Sequence, residues 1–169
     1  MKKKVVTKIG DIFSVRVGAA SKKFFQLIAF DLTQLNSDVI RAFKEEYPVS
    51  QAPNIAEIVT REVEFYSHCI VKWGVQLGYW EKVGKSDDVG EIGHIVFRDT
   101  EDYATVPGEK PITVSNNWHI WRIGDEGFTD VGRLTGENRT AEIGLVFDPE
   151  SIVHRMKTGE YPWSYPDFE

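Results

Sequence analysis

Apolar and polar residues alternate or run in short blocks along this chain, and only two stretches carry the 3.6-residue spacing of a helix. Residues 5–17 mix β-branched and polar side chains, with Gly10 and Asp11 in the middle, which predicts two short strands around a bend. Residues 21–31 (SKKFFQLIAFD) read as a strand with a buried centre, paired to the first through a turn at residues 18–21. Residues 36–46 (NSDVIRAFKEE) predict a helix: Asn36 or Ser37 caps it, Val39, Ile40 and Phe43 share a face, and Pro48 stops it. A helical turn is expected at residues 55–59. Residues 61–71 alternate cleanly as a strand, with Val63, Phe65, Ser67 and Cys69 on one face and Glu64, Tyr66, His68 and Ile70 on the other.

Further strands are expected at residues 79–83, 94–98, 116–122 and 141–147, separated by a surface loop at 99–111 and a glycine-rich turn or irregular hairpin at 124–138. The last helix has the clearest ends. Asp148 is its N-cap, Pro149 its first residue and Gly159 the stop, with Arg155 and Lys157 near the C-terminus. Strands with one early and one late helix do not alternate as an α/β fold does. They predict an α+β domain over residues 1–169, with a basic N-terminal tail at 1–4 and an extended C-terminal tail at 161–169. The sheet is expected to be mostly antiparallel and strongly bent, as in a partly open barrel.

The 169 residues are 41% hydrophobic and 12% aromatic, too apolar for a disordered chain and enough for a core without disulfides. No run approaches the about 20 apolar residues of a membrane-spanning helix. The residues after Lys2, Lys3 and Lys4 are too polar for a signal peptide, so a cytoplasmic location and no membrane contact are expected. Cys69 is the only cysteine, which suits a reducing compartment. The net charge of −6 is uneven: residues 1–23 carry +6, leaving −12 on the other 146 positions. Such a surface repels nucleic acid and attracts basic partners.

The residues that could carry chemistry form no recognisable constellation. His68, His94, His119 and His154 lack metal-ligand spacings, and no metal or cofactor is expected. Cys69 belongs to an apolar strand face, where a thiol is inert. No nucleophile elbow or phosphate-binding glycine loop is present. Trp118 and Trp121 point to opposite sides of one strand, so one is expected in the core and the other partly exposed beside His119 or Arg122. Trp73, Tyr79 and Trp80 cluster around Gly74 and Gly78.

Three segments resemble the immunity protein 26 family of bacterial polymorphic toxin systems. They are residues 8–17 (KIGDIFSVRV) with the strand that follows, residues 71–85 (VKWGVQLGYWEKVGK) with Gly78, Trp80, Val83 and Gly84, and the closing Asp148, Pro149, Ile152, Arg155, Gly159, Glu160, Tyr161 and Pro162. The resemblance implies a cytoplasmic bacterial protein that neutralises a toxin by binding it, with no catalytic residues to carry over. An acidic balance suits a basic toxin. The contact is expected in the loops, at Asp99, Asp102, Asp125 and Glu126, or at the aromatics Trp73, Trp80, Trp118 and Trp121. The alternatives are a small-molecule enzyme using His119 or His68 as general acid/base, and a nucleic-acid binder using the basic N-terminus.

Overall fold

The chain folds into two sheets that share an apolar layer. The computed structural model describes residues 4–102, 106–162 and 164–169. Residues 1–3 of the basic tail, 103–105 of the expected loop and Trp163 of the C-terminal tail lie outside the described residues.

The larger sheet opens with β1 (Asp11–Arg16) and β2 (Ser21–Asp31), an antiparallel hairpin as expected. Gly10, at φ +97°, marks the start of β1, and residues 4–9 form no strand, so only the second of the two expected short strands exists. Residues 36–46 are not a helix. Ser37–Phe43 form strand β3, the partner of β2 on one side and of β5 (Val63–Cys69) on the other. The physical reason is burial on two faces. Ile40 and Ala42 pack into one core cluster, while Val39 enters another on the opposite side. A strand apolar on both faces reads as a continuous run and mimics a helical stripe. Arg41 completes the strand from within the protein, donating Nε–H to Gln26 Oε1 at 2.9 Å and an Nη2 hydrogen to the Asp88 carbonyl at 2.9 Å.

Short β4 (Tyr47–Pro48) pairs with the start of β2, and α1 (Ile55–Ile58) forms the expected helical turn, with Asn54 accepting the Glu57 N–H. Residues 71–77 fold as a helix, α2 (Val71–Leu77), closed by Gly78 at φ +81°. It went unread because it is two turns long and lies between two strand patterns. Gly74 is required in it: a Cβ there would lie 1.9 Å from the Trp80 ring, whose N–H bonds the Val71 carbonyl. β6 (Trp80–Lys85) then pairs with β1.

The second sheet contains β7 (Val96–Asp99), β8 (Trp118–Arg122) and β9 (Thr129–Gly132), all antiparallel neighbours. The expected strand at 141–147 divides. β10 (Glu142–Ile143) pairs in parallel with β7, and β11 (Val146–Phe147) pairs in parallel with β5 of the larger sheet. Gly144 makes the crossing, since a Cβ there would lie 2.0 Å from the Trp121 ring. Helix α3 (Pro149–Thr158) follows with the expected cap, Asp148 accepting the Ser151 N–H at 2.8 Å, and the expected Gly159 stop at φ +87°.

The fold is therefore α+β and mostly antiparallel. Its strands form a seven-stranded and a four-stranded sheet, with no closed barrel. One core cluster sets α3 (Ile152, Val153, Met156) against Phe25, Ile40 and Phe65 of the larger sheet. Another, with Val39, Phe97 and Trp121, lies between the two sheets. The outer face of the small sheet carries Trp118, Ile120 and Leu134, with Tyr165 and Phe168 of the C-terminal tail packed on them. Among the described residues no helix is long and apolar enough to cross a membrane.

Candidate functional site

The four candidate acids do not converge. β7 and β8 are antiparallel, so the loop after Asp99 and the turn after Arg122 leave opposite ends of the small sheet. Asp99 and Asp102 are at one end, Asp125 and Glu126 at the other. Asp99 and Asp102 are also committed to the loop itself. Asp99 Oδ1 accepts the Tyr165 hydroxyl at 2.7 Å and the Thr100 N–H at 2.8 Å, and burial raises its carboxyl above the ordinary range despite these bonds. Asp102 accepts from Ser115 Oγ at 2.7 Å and from the Asn117 amide at 3.1 Å. Asp125 accepts the Arg122 N–H at 2.8 Å and thereby shapes its turn. Glu126 is exposed.

Three of the four candidate tryptophans are buried. Trp118 and Trp121 do point to opposite sides of β8, but neither is exposed: Trp121 is covered by the larger sheet and Trp118 by the tail. The expectation of one exposed ring fails because the C-terminal tail, through Tyr165 and Phe168, covers the second face. Trp80 is buried under α2. Trp73 alone stands half exposed, with Leu77 and Tyr79 also exposed nearby in sequence.

The histidines separate into an enclosed and an open case. His68 is fully buried, its Nε2 2.8 Å from Asp31 Oδ2, which also accepts the Trp121 N–H at 3.3 Å. Burial by itself raises the Asp31 carboxyl. The bond to His68 and its charge, with the Trp121 and Gly124 N–H groups, outweigh burial and hold it below the ordinary value. Both side chains are at 0% exposure. His119 is half-buried against Trp121 and Phe128, opposite Asp99 on β7 and Asp130 on β9 in register. Cys69 is buried as expected, and burial pushes its thiol well above the ordinary value. Among the described residues no three His, Cys, Asp or Glu side chains gather as a metal site.

Two groups of side chains were not foreseen. At the Asp125 end, the segment 86–93 enters β7 and the β8–β9 turn leaves β8: Val89, Ile92 and Ile123 pack on the same cluster, and Gln34 of the β2–β3 turn bonds the Asp125 carbonyl at 2.8 Å. Asp87, Asp88, Glu91 and Glu126 are exposed on these two segments, and Lys85 lies 3.8 Å from Asp87. The other group lines a cleft of about 590 Å³ between β10, α3 and the C-terminal tail. Arg155 of α3 pairs with Glu142 at 3.1 Å and lies over the Phe65 and Tyr161 rings. Burial raises the Glu142 carboxyl despite Arg155, and pushes the Tyr161 hydroxyl up to about 12. Arg98 enters from β7. Burial lowers its guanidinium from the ordinary value, against the pull of Tyr165, Asp167 and Glu142. No spacing in the sequence announces this cleft, because its residues come from a strand, a second strand, a helix and the tail.

Compared with protein-family models, curated proteins and solved structures, the chain matches none.

Proposed function

We propose that this chain is a non-enzymatic binding protein that neutralises a basic protein toxin in the cytoplasm, as the resemblance to the immunity protein 26 family implies. The observation that supports this reading is the end of the small sheet at which the 86–93 segment enters β7 and the β8–β9 turn leaves β8, two segments that carry Asp87, Asp88, Glu91, Asp125 and Glu126. Carboxylates gathered at one end steer a cationic protein into contact, and a nucleic acid away. Loops carried on a rigid sheet pair suit the task, because their side chains vary without cost to the core.

The test uses the product of the reading frame adjacent to this chain's own. The reading expects a stable complex of the two on co-expression, and loss of the toxin's activity in it. Reversing Asp87, Glu91 and Glu126 to Lys, which removes no buried group, should leave thermal stability nearly unchanged. It should slow association by about tenfold or more at low salt. An unchanged association rate moves the contact elsewhere, to Trp73 and its exposed neighbours, and absence of any complex sinks the reading.

One observation favours a second reading, general acid/base catalysis by His119: its place in register between Asp99 and Asp130. His119→Gln separates the two, since it leaves neutralisation intact on the first reading and abolishes turnover on the second.

A further inference from the structure

Two cations stand opposite each other at the turn end of the β1–β2 hairpin. Arg16 and Lys22 are cross-strand partners, so their side chains leave the sheet on one face. Ser14, two positions earlier on β1, leaves on the same face. Like charges in this arrangement destabilise a strand pair, and neither cation enters an ion pair among the described residues. Lys22 is held in place: its Nζ donates to the Val49 carbonyl at 3.1 Å and to the Gln51 carbonyl at 2.6 Å. An ammonium has three donors, so one remains. Arg16 is exposed and Ser14 half-buried, and neither side chain has a hydrogen-bond partner among the described residues.

These three donor groups line one cavity of about 520 Å³, within the range of small-molecule sites. Val49, Val75, Tyr79 and Trp80 supply its apolar lining. Glu81 is the only carboxylate among the described residues that line it, so the lining keeps a net positive charge. A phosphate monoester carries about two negative charges and three strong acceptor oxygens, enough to bridge both cations and the hydroxyl. A guanidinium and an ammonium both suit phosphate, the first as a fork and the second as a point charge.

We propose that this cavity binds a small phosphate monoester, with Arg16, Lys22 and Ser14 taking the phosphate and Val75 and Tyr79 taking the organic body. No residue of the small sheet lines the cavity, and the assignment does not rest on the toxin-binding reading.

Phenyl phosphate titrated into the full chain at pH 8, where a phosphate monoester is doubly charged, tests this. The backbone N–H resonances of Arg16, Lys22 and Tyr79 follow it, and saturable shifts are expected for all three. Methyl phenyl phosphate keeps the ring with a single charge and is expected to bind at least about tenfold more weakly. Inorganic phosphate lacks the ring and is also expected to bind more weakly. Neither comparison needs a variant. Arg16→Gln, at an exposed side chain, is expected to weaken phenyl phosphate at least about tenfold, and Glu81→Gln to tighten it about threefold by removing the opposing charge. Lys85→Gln, at the far end of β1, is expected to leave it unchanged. Equal binding of methyl phenyl phosphate would overturn the assignment. So would inorganic phosphate binding as tightly as phenyl phosphate (an adventitious ion only), unchanged affinity in Arg16→Gln, no gain in Glu81→Gln, or no saturable shift.

Discussion

The buried contact of Asp31 with His68 and Trp121 is the point where single residues decide most. It lies between the two sheets, and Gly124 of the β8–β9 turn also donates to the carboxylate. A carboxyl held below its ordinary value contributes stability that is fully present above about pH 4. That contribution is lost as pH falls through the lower folded value. Asp31→Asn is expected to cost about 1–3 kcal/mol at neutral pH, because it disrupts the buried hydrogen bonds to His68 and Trp121. The gap between wild type and variant should narrow below about pH 4, where the wild type loses what the variant already lacks. Urea unfolding at pH 7 and pH 3 measures both, and a gap that stays constant would assign the stabilisation to something other than this carboxylate. The sequence did place His68 and Cys69 on opposite faces of β5, and Cys69 is in the core as expected. The Asp31 partnership was not legible, because 37 residues separate it from His68.

At the scale of elements, the ends of α3 were legible and the identity of β3 was not. Capping is local chemistry: Asp148 accepts the Ser151 N–H and hydroxyl, Pro149 fits the first helical position, and Gly159 adopts the left-handed turn. Asp148→Ala should therefore lower the unfolding free energy by about 1 kcal/mol, read as a shift in the urea midpoint with unchanged slope. A shift near zero would mean that packing of Ile152 and Met156 alone holds the helix. In β3 the local signals were satisfied by a helix, and tertiary burial decided otherwise. Arg41, between the apolar Ile40 and Ala42, bonds Gln26 and the Asp88 carbonyl inside the protein.

At the scale of the whole molecule, residues 142–147 supply one strand to each sheet, and the cluster of Val39, Phe97 and Trp121 belongs to both. Neither sheet can separate without exposing that layer. Far-UV circular dichroism and tryptophan fluorescence are thus expected to report one coincident urea transition, since Trp121 and Trp118 sit in the small sheet and Trp80 in the large one. Two resolved midpoints would show that the sheets unfold independently. Charge follows the same geometry. The acids expected to form one binding surface divide between opposite ends of β7 and β8, with Asp87, Asp88, Glu91 and Glu126 exposed in the segments at one end and Glu101 and Glu109 in the loop at the other.

By itself the sequence determined the α+β class, eight of the strand positions at least in part, the turn of α1, both ends of α3 and the inert core cysteine. These follow from period-2 alternation and from caps that act over a few residues. Only the tertiary structure decided that residues 37–43 are a strand, that both Trp118 and Trp121 are covered, and that residues 141–147 divide at Gly144. The same holds for the cleft around Arg98 and Arg155. Each of these depends on what lies across a face or a crossing, and contacts between distant segments leave no periodicity along the chain to read.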